Sequence, residues 1–348
     1  MLQQIALKAG CSAATVSRAL NKSGPVSERM ARRVEKAALE LGYRPDANPA
    51  AVQRMRHKPM IGVLIPSITN PVFAASLSNI QKRARVSGHG VIIAQSDYDL
   101  VREAEAIVDL VSERPVGLIM TLCDPQANGA NLPKALPPTV LLHNLPTARF
   151  PASVAADNFL AGRELCTHML DHHHTRILFV SGAFAASDRA KLRYDGYCAA
   201  MKQRGLVPNP ALEVGFLNGY DELDLGQSLK LFKPTAIIAS NDLLAFGVIG
   251  ALRREGLTVP ADISVAGFDG ISLGRLIDPP LTTIEMADAS MGAAAASLLI
   301  DMTENGSTPR HLNVPHSLRI GGTVRDIGNE SFGPKSGNRL SKRSNFPT

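Results

Sequence analysis

The stretch IALKAGCSAATVSRALN, from Ile5 to Asn21, contains the clearest structural motif of the chain. Its first half places three apolar residues on one helical face, namely Ile5, Ala6 and Ala9. Gly10 permits a turn, and Ser12 can cap a second helix. That second helix also has an apolar face, formed by Val16, Ala19 and Leu20. Two helices joined in this way predict a helix-turn-helix, although the spacing also fits an ordinary helical hairpin.

Packing through these apolar positions leaves a short, mostly polar set on the outer face of the second helix. The set comprises Ala13, Ala14, Thr15, Ser17 and Arg18. An α-helix fits the major groove of DNA, where its first residues reach the base edges. We therefore predict that this face contacts DNA, with Arg18 as the main base-reading residue.

A third predicted helix completes a small module. Ser27 can cap it, and Gly42 follows its last turn. Its apolar stripe comprises Met30, Val34, Ala37, Ala38 and Leu41. We therefore predict a DNA-binding head over residues 1–45. No capping residue precedes Leu2, which leaves open whether the natural chain starts upstream of Met1.

Residues 46–59 form the predicted hinge. Asn48 can cap a short helix, and Pro49 suits its first position. A helix this short does not persist alone in water, so we expect it to form only on DNA. Two such helices would then press Val52, or Met55 in its place, between base pairs of the minor groove. A flexible linker with a chance helical pattern is the alternative.

Charge separates the head from the rest of the chain. Residues 1–58 carry 11 Lys and Arg against 4 Asp and Glu, whereas residues 59–328 carry 22 against 26. A basic head on a mildly acidic body indicates that only the head binds nucleic acid. The length of 348 residues suits a small module followed by a large body that itself divides.

The four cysteines lie far apart, at Cys11, Cys123, Cys166 and Cys198. This spacing indicates neither a zinc site nor a disulfide framework, so we expect reduced thiols. No apolar run is long enough to span a membrane, and the N-terminus lacks the pattern of a secretory signal. We therefore expect a cytoplasmic protein without a membrane partner.

From Met60 onward, short apolar strands alternate with amphipathic helices. The predicted strands are 61–65, 90–94, 116–121, 139–143, 176–180, 212–216, 236–239 and 263–268. The predicted helices are 72–87, 101–113, 158–171, 190–204, 223–231 and 241–255. This alternation predicts an α/β fold with parallel sheets, and its repetition predicts two lobes within residues 60–326.

Polar residues follow several of these strands, and parallel α/β sheets bind ligands at that end. A lone Asn or Asp there is more often a helix cap, but the recurrence predicts a polar cleft between the lobes. The candidate cleft residues are Ser67, Asn70, Thr121, Asp157, Arg189, Arg193, Asn241 and Asp269. Arg189 and Arg193 share one side of a helix and would supply positive charge, unless that side is simply solvated.

Other motifs indicate less. His172, His173 and His174 resemble a metal cluster in composition, but consecutive side chains at a helix end point in different directions. No glycine-rich phosphate loop or Gly-x-Ser-x-Gly motif follows a strand, so we expect neither a cofactor nor catalysis. Residues 327–348 are polar, basic and rich in Ser and Gly, which predicts a disordered tail.

The head matches the sequence pattern of one known family, with its motifs in the same order. These motifs are the residues from Ala6 to Asn21, Val26-Ser27 and Leu41-Gly42-Tyr43. The matching body motifs are Ile61-Gly62-Val63, Asn70-Pro71, Asp157-Asn158, Arg193 with Gly196-Tyr197, Asn241-Asp242 and Gly267-Phe268-Asp269. In these motifs the chain resembles the lac repressor/galactose repressor family of bacterial regulators.

This resemblance implies a transcriptional regulator, acting as a homodimer whose heads bind a palindromic operator. It also implies a body that binds a small effector between its lobes. By the family pattern, Asn21 joins the DNA-contacting residues and Phe73 joins the cleft residues. The chain is expected to cross between the lobes three times, near Ala156, Thr283 and Thr308.

Two segments, 61–74 and 267–270, look most like the gluconate-type regulators of this family. Together with the two cleft arginines they predict a sugar acid as the effector. An uncharged polyol is the alternative, because Asp157 and Asp269 would lie in the same cleft. A sugar-binding protein or sugar-acting enzyme with a helical head is the competing function; it would need a secretion signal or a catalytic constellation, and neither is visible.

Overall fold

The structure is a computed structural model that describes residues 2–21, 23–41, 58–127, 132–216 and 220–328. The chain divides into two compact units, a head over Met1–Pro59 with Gly88–Gly90, and a body over the remainder. Val52, Met55 and most of the predicted hinge lie outside the described residues. The predicted tail does too, from residue 329 onward.

The head contains three helices, α1 (Leu2–Ala9), α2 (Ala13–Asn21) and α3 (Glu28–Glu40). Gly10 lies between α1 and α2 with φ at +63°, a conformation that a side chain would strain. The Ser12 hydroxyl accepts a hydrogen bond from the Thr15 amide at 3.1 Å, as predicted for a cap. Ser27 occupies the corresponding position before α3, but its side chain makes no capping bond there. The helix-turn-helix prediction is confirmed.

The first lobe of the body is built on a six-stranded sheet. Its strands, in spatial order, are β2 (Gly90–Gln95), β1 (Met60–Ile65), β3 (Gly117–Met120), β4 (Thr139–Leu142), β5 (Ser153–Ala155) and β11 (His311–Asn313). Its helices are α4 (Pro71–Val86), α5 (Leu100–Ser112) and α10 (Asp288–Glu304). The pairs β1–β3, β3–β4, β4–β5 and β5–β11 are parallel, in agreement with the predicted parallel sheets, although the sequence patterns had not predicted β5 itself.

The second lobe contains a similar sheet. Its strands, in spatial order, are β7 (Leu212–Val214), β6 (Ile177–Gly182), β8 (Ala236–Ala239), β9 (Ser264–Asp269), β10 (Thr282–Met286) and β12 (His316–Arg319). Its helices are α6 (Asn158–Asp171), α7 (Asp188–Gln203), α8 (Gly226–Phe232) and α9 (Asp242–Arg254). The pairs β6–β7, β6–β8, β8–β9 and β9–β10 are parallel, in agreement with the predicted parallel sheets, whereas β12 at the edge runs antiparallel to β10. The start of β12 at His316 pairs with the end of β10 at Met286, because the chain re-enters this lobe at the cleft.

The chain crosses between the lobes at 156–157, at 287 and at 314–315. The first crossing agrees with the expected position near Ala156. The others lie later than expected, because β10 still belongs to the second sheet and β11 to the first. The sequence patterns after residue 268 had not predicted these two strands, β12 or α10.

Helices α6 and α7 approach closely because two glycines lie in their contact. A Cβ on Gly196 would lie 2.1 Å from the Phe159 carbonyl oxygen. A Cβ on Gly162 would lie 2.1 Å from the Arg193 carbonyl oxygen. The backbone atoms in this contact cannot move away from an added Cβ as the end of a flexible side chain could. These glycines therefore determine how closely α7 packs against α6. They therefore also determine where Arg193 is held.

Substitution of Gly196 by Ala is expected to lower the free energy of unfolding by at least about 1–3 kcal/mol, since the new methyl group overpacks the α6–α7 contact. Chemical denaturation of the full chain measures this. Gly215→Ala is the matched control, because an added Cβ there meets no atom within 4 Å. Equal stability of the two variants would show that the helices are not held by this contact.

Candidate functional site

A cavity lies between the two lobes, where the polar ends of the strands face each other. Six of the predicted cleft residues line it, namely Asn70, Phe73, Arg189, Arg193, Asn241 and Asp269. The local structure explains their positions, since Asn70 precedes α4, Asn241 precedes α9, and both arginines lie in the first turns of α7. Asp269 ends β9. The structure thus brings together residues that are up to 199 positions apart.

Arg193 is the best-connected cation of this cavity. Its Nε donates to the Asn158 Oδ1 at 2.9 Å, and its Nη1 donates to the Ser240 carbonyl at 2.6 Å. The same Nη1 lies 3.1 Å from the Asp269 Oδ1. Both partners of this ion pair are buried. A buried ion pair needs such additional hydrogen bonds to offset the loss of water.

Asp269 is held in an unusual backbone conformation. Its φ is +109°, outside the regions that L-residues normally adopt. Conformations of this kind persist only where the surroundings enforce them, and they cluster at functional sites. Burial raises the pKa of Asp269, while the guanidinium of Arg193 opposes that rise. The backbone therefore fixes the orientation of the Asp269 side chain, and Arg193 is its ion-pair partner.

Arg189 reaches from α7 to the first lobe. Its Nη1 donates to the Leu122 carbonyl at 2.8 Å and lies 3.1 Å from the Asp188 Oδ1. Its Nη2 is buried and has no hydrogen-bond partner among the described residues. A buried donor without a partner is costly, which makes this nitrogen a candidate ligand contact.

The first lobe contributes a buried His–Asp pair. The His143 Nε2 lies 3.0 Å from the Ser76 Oγ, and its Nδ1 lies 3.8 Å from the Asp288 Oδ1. Burial lowers the pKa of His143 to about 3, so the imidazole is neutral at pH 7. Burial also raises the pKa of Asp288 well above its usual value. The Asp288 Oδ1 has no hydrogen-bond partner among the described residues and is a second candidate ligand contact.

Three predicted cleft residues are not among those that line the cavity. The Ser67 hydroxyl lies 2.8 Å from that of Thr69, and the Thr121 hydroxyl donates to the Leu142 carbonyl at 2.9 Å. Asp157 caps α6 by accepting from the Leu160 amide at 2.9 Å. Lys191, on the same helix as the two arginines, pairs with Asp195 instead. Each of these side chains is used within its own local structure.

Several residues that line the cavity were not predicted from the sequence: Tyr98, His143, Asn158, Ser187, Phe216, Ser240, Met286 and Asp288. Asn158 lies beside the predicted Asp157, and a helix start alone does not show which of two neighbours faces a ligand. His143 follows β4 directly, so its place at a strand end was a usable signal. Asp288 follows β10, a strand that the sequence patterns had not predicted.

The predicted DNA-contacting face is present on α2. Ala13, Ala14, Arg18 and Asn21 are exposed, while Thr15 and Ser17 are half-buried. The Arg18 Nε donates to the Ala14 carbonyl at 3.3 Å, and the Asn21 Nδ2 donates to the Ser17 hydroxyl at 3.2 Å. No acidic residue lies on this helix. The face therefore presents short side chains and one cation.

The part of the chain that the structure describes offers no metal site and no membrane span. No group of three or more His, Cys, Asp or Glu side chains there could hold a metal ion. His173 pairs with Asp326 at 2.7 Å, whereas the His172 Nδ1 contacts the His168 carbonyl, so the three consecutive histidines do not converge. None of the described helices is both long and apolar enough to cross a membrane.

Comparison with known proteins gives two family matches. The profile of bacterial regulatory proteins of the lacI family matches residues 1–46, and that of the periplasmic binding protein-like domain matches residues 166–324. The ribose operon repressor of Escherichia coli K12 is 32% identical over 306 residues, covering 86% of this chain and 92% of that protein. The HTH-type transcriptional repressor CytR of the same strain is 31% identical over 349 residues, covering 94% and 96%.

A similar solved structure is that of the lac repressor dimer bound to operator and the anti-inducer ONPF. It aligns with a TM-score of 0.68 and 26% identity, covering 93% of this chain and 99% of that chain.

Asp242 provides a test of the electrostatics beside the cavity. Burial and the nearby Asp269 raise its pKa to about 8. The folded protein therefore holds this proton where the unfolded chain releases it, so stability falls as pH rises toward about 8. An unfolded histidine is half protonated at pH 6.5 and neutral by pH 8, so the burial of neutral His143 opposes this trend over the same range, but by only about 0.4 kcal/mol.

We expect the free energy of unfolding to decrease from pH 6.5 to 8, by at most about 1.4 kcal/mol per pH unit for each carboxyl group. Asp242→Asn should reduce this slope, because Asn cannot release a proton. The exposed Asp221→Asn is the control and should keep the slope of the unaltered chain. Urea denaturation at a series of pH values measures it; an unchanged slope in Asp242→Asn would contradict the assignment.

Proposed function

The chain belongs to the LacI family of bacterial regulatory proteins, and from this premise we propose that it is a transcriptional repressor controlled by a small sugar. The observation that carries the proposal is the combination of two features in one chain. The head exposes a short-side-chain face on α2, and the body encloses a polar cavity between its lobes. The first feature suits operator DNA, and the second suits an effector.

An enzyme or a simple sugar-binding protein is the weaker alternative. The polar groups of the cavity are mostly paired with one another, as in Arg193 with Asp269 and His143 with Ser76. Ser76, His143 and Asp288 do lie in the order of a serine, a base and a carboxylate. However, the Ser76 hydroxyl is fully buried and donates to the Asp288 carbonyl at 3.1 Å, and burial lowers the pKa of His143 to about 3, which makes it a poor base. A basic helix-turn-helix would also have no role in either alternative. No catalytic activity forms part of the proposal.

Recognition of the operator is assigned to α2. Ala13 and Ala14 leave room for close approach to the bases, whereas Arg18 can donate two hydrogen bonds to guanine. Thr15, Ser17 and Asn21 lie on the same helix and would contact bases or phosphates. Val52 and Met55 remain proposals for the minor groove, since the hinge lies outside the described residues.

A second copy of the chain is proposed as partner, so that two heads meet the two halves of a palindrome. An apolar surface on the second lobe supports this. Leu273 and Leu276 are 49% and 80% exposed, and both belong to the short segment that follows β9. A groove lined in part by Phe246, Ile249 and Ile277 adjoins Leu273. Exposed apolar surface beside an apolar groove is typical of contacts between proteins.

The charge balance of the cavity favours a neutral sugar over the sugar acid that the sequence analysis predicts. Arg193 is paired with Asp269, and Arg189 with Asp188. Neither arginine therefore offers an uncompensated charge to a carboxylate. Among the described residues that line the cavity, two buried polar atoms have no hydrogen-bond partner: the Arg189 Nη2, which is a donor, and the Asp288 Oδ1. A sugar with several hydroxyl groups can serve both, because a hydroxyl group donates as well as accepts.

The size of the cavity favours a compact effector. The centre of a water molecule can occupy about 50 Å³ of it. One bound water needs roughly 10–15 Å³ by the same measure. This space corresponds to a few water molecules, which a single sugar ring would replace. We therefore propose a monosaccharide as the effector.

Operator recognition is tested by selecting bound fragments from random DNA with the full chain. The proposal predicts a palindromic consensus, and Arg18→Ala should flatten the preference at one position of each half-site. A guanine contact of this kind contributes about 1–3 kcal/mol of discrimination. Lys36→Ala, which changes a charge on α3 instead, is the control and should leave the consensus unchanged. A non-palindromic consensus, or an unaltered one in Arg18→Ala, would count against the proposal.

The effector is tested by thermal shift with D-ribose, D-glucose, D-gluconate and D-glucuronate. A ligand at a hundred times its dissociation constant stabilises the folded state by about 2.7 kcal/mol. A neutral sugar should do this, and Arg193→Lys should weaken the effect because a lysine cannot keep both the Asn158 and Asp269 contacts. Lys191→Ala, which removes a charge outside the cavity, is the control. Stabilisation by the two acids alone would instead support the sugar-acid prediction.

A further inference from the structure

Two aromatic rings from opposite lobes meet at the edge of the cavity. The ring of Tyr98, from the first lobe, stacks on that of Phe216, from the second, with centroids 4.2 Å apart and planes within 7°. Both residues line the cavity, and both are only half-buried. Their outer surfaces therefore reach solvent while their inner surfaces face the cavity. We call these two residues the aromatic rim.

The backbone around Tyr98 is arranged to hold its ring in this place. Asp97 and Tyr98 are consecutive residues with φ at +51° and +58°, a conformation that L-residues rarely adopt. The Asp97 amide donates to the Pro66 carbonyl at 2.9 Å, and its carboxylate pairs with Arg102 at 2.6 Å. The Asn70 Nδ2 donates to the Tyr98 hydroxyl at 3.3 Å. Both the backbone and the hydroxyl group of Tyr98 are therefore fixed.

The second lobe makes room for the other ring. A Cβ on Gly182, at the end of β6, would lie 2.3 Å from the Phe216 Cζ. Phe216 can lie in this position only because residue 182 has no side chain. Each lobe thus has a local feature that positions its own ring. In the first lobe it is the left-handed backbone at Tyr98, and in the second it is Gly182.

We propose that Tyr98 is a specificity-determining residue that limits the effector to a single compact ring. This inference rests on the proposed sugar-responsive function. A second ligand ring that extended past the aromatic rim would separate Tyr98 from Phe216 and with them the two lobes. A compact ligand leaves the stack intact, so the stack opposes long ligands selectively.

A first experiment tests closure of the rim without any sugar. The chain contains no tryptophan and five tyrosines, so Phe216→Trp introduces a single tryptophan, whose fluorescence can be excited separately at longer wavelength. With Tyr98 present, quenching of this reporter by acrylamide should be weak. Adding Tyr98→Ala should increase the quenching constant about twofold or more, whereas Tyr98→Phe, which keeps the ring, should not. Equal quenching in all three proteins would overturn the proposal.

A second experiment tests ligand size, using isothermal titration of the full chain with D-ribose, D-glucose and the disaccharide cellobiose. The unaltered protein and Tyr98→Phe should bind a monosaccharide and not cellobiose. Tyr98→Ala and Gly182→Ala should both gain affinity for cellobiose, by about tenfold or more, since the first removes one ring of the stack and the methyl group of the second displaces the other ring. Phe184→Ala, which disrupts the Phe184–Tyr194 stack outside the cavity, is the control and should not gain it.

The outcomes separate this inference from the function on which it rests. A Tyr98→Ala protein that still binds a monosaccharide but gains nothing for cellobiose would overturn the role of Tyr98 alone. Absence of any sugar response in every variant would overturn the proposed sugar-responsive function. In that event the quenching comparison still decides whether the aromatic rim is closed.

Discussion

The buried ion pair between Arg193 and Asp269 is the interaction on which the cavity depends. Two charges can leave water only if the surrounding structure supplies further partners, and here Asn158 and the Ser240 carbonyl do so. The pair therefore ties α7 to β9, to the start of α6 and to the end of β8. The glycine contact between α6 and α7 places Arg193 at the required distance. The same arrangement of α6 and α7 thus satisfies both the close helix packing and the buried ion pair.

The start of α7 also joins the two lobes. The Asp188 amide donates to the Cys123 carbonyl at 2.8 Å, and the Asn144 Nδ2 donates to the Asp188 carboxylate at 2.9 Å. Arg189, the next residue, contacts the Leu122 carbonyl and lines the cavity. A ligand that favours one position of Arg189 therefore acts directly on the contact between the lobes. Such a difference in contacts is what a ligand needs in order to shift a conformational equilibrium.

Capping and ligand contact are not exclusive roles at the strand ends. Asn70 and Asn241 each accept a hydrogen bond from a backbone amide in the following helix, and both also line the cavity. Asp157 makes the same kind of cap without lining it. A cap uses one acceptor atom, which leaves the Nδ2 of Asn or the second oxygen of Asp available for another contact. What else the side chain touches depends on the elements packed around it.

The sequence by itself determined the local structure of this protein. The spacing of apolar residues predicted the three helices of the head, and alternating patterns predicted most strands and helices of the body, because these features depend on neighbours within a few residues. Only the tertiary structure decided that Asn158 lines the cavity while Asp157 does not, and that His143 lies beside Asp288. These outcomes depend on how separate lobes close on each other. His143 and Asp288 are 145 residues apart, and no local pattern records that they meet.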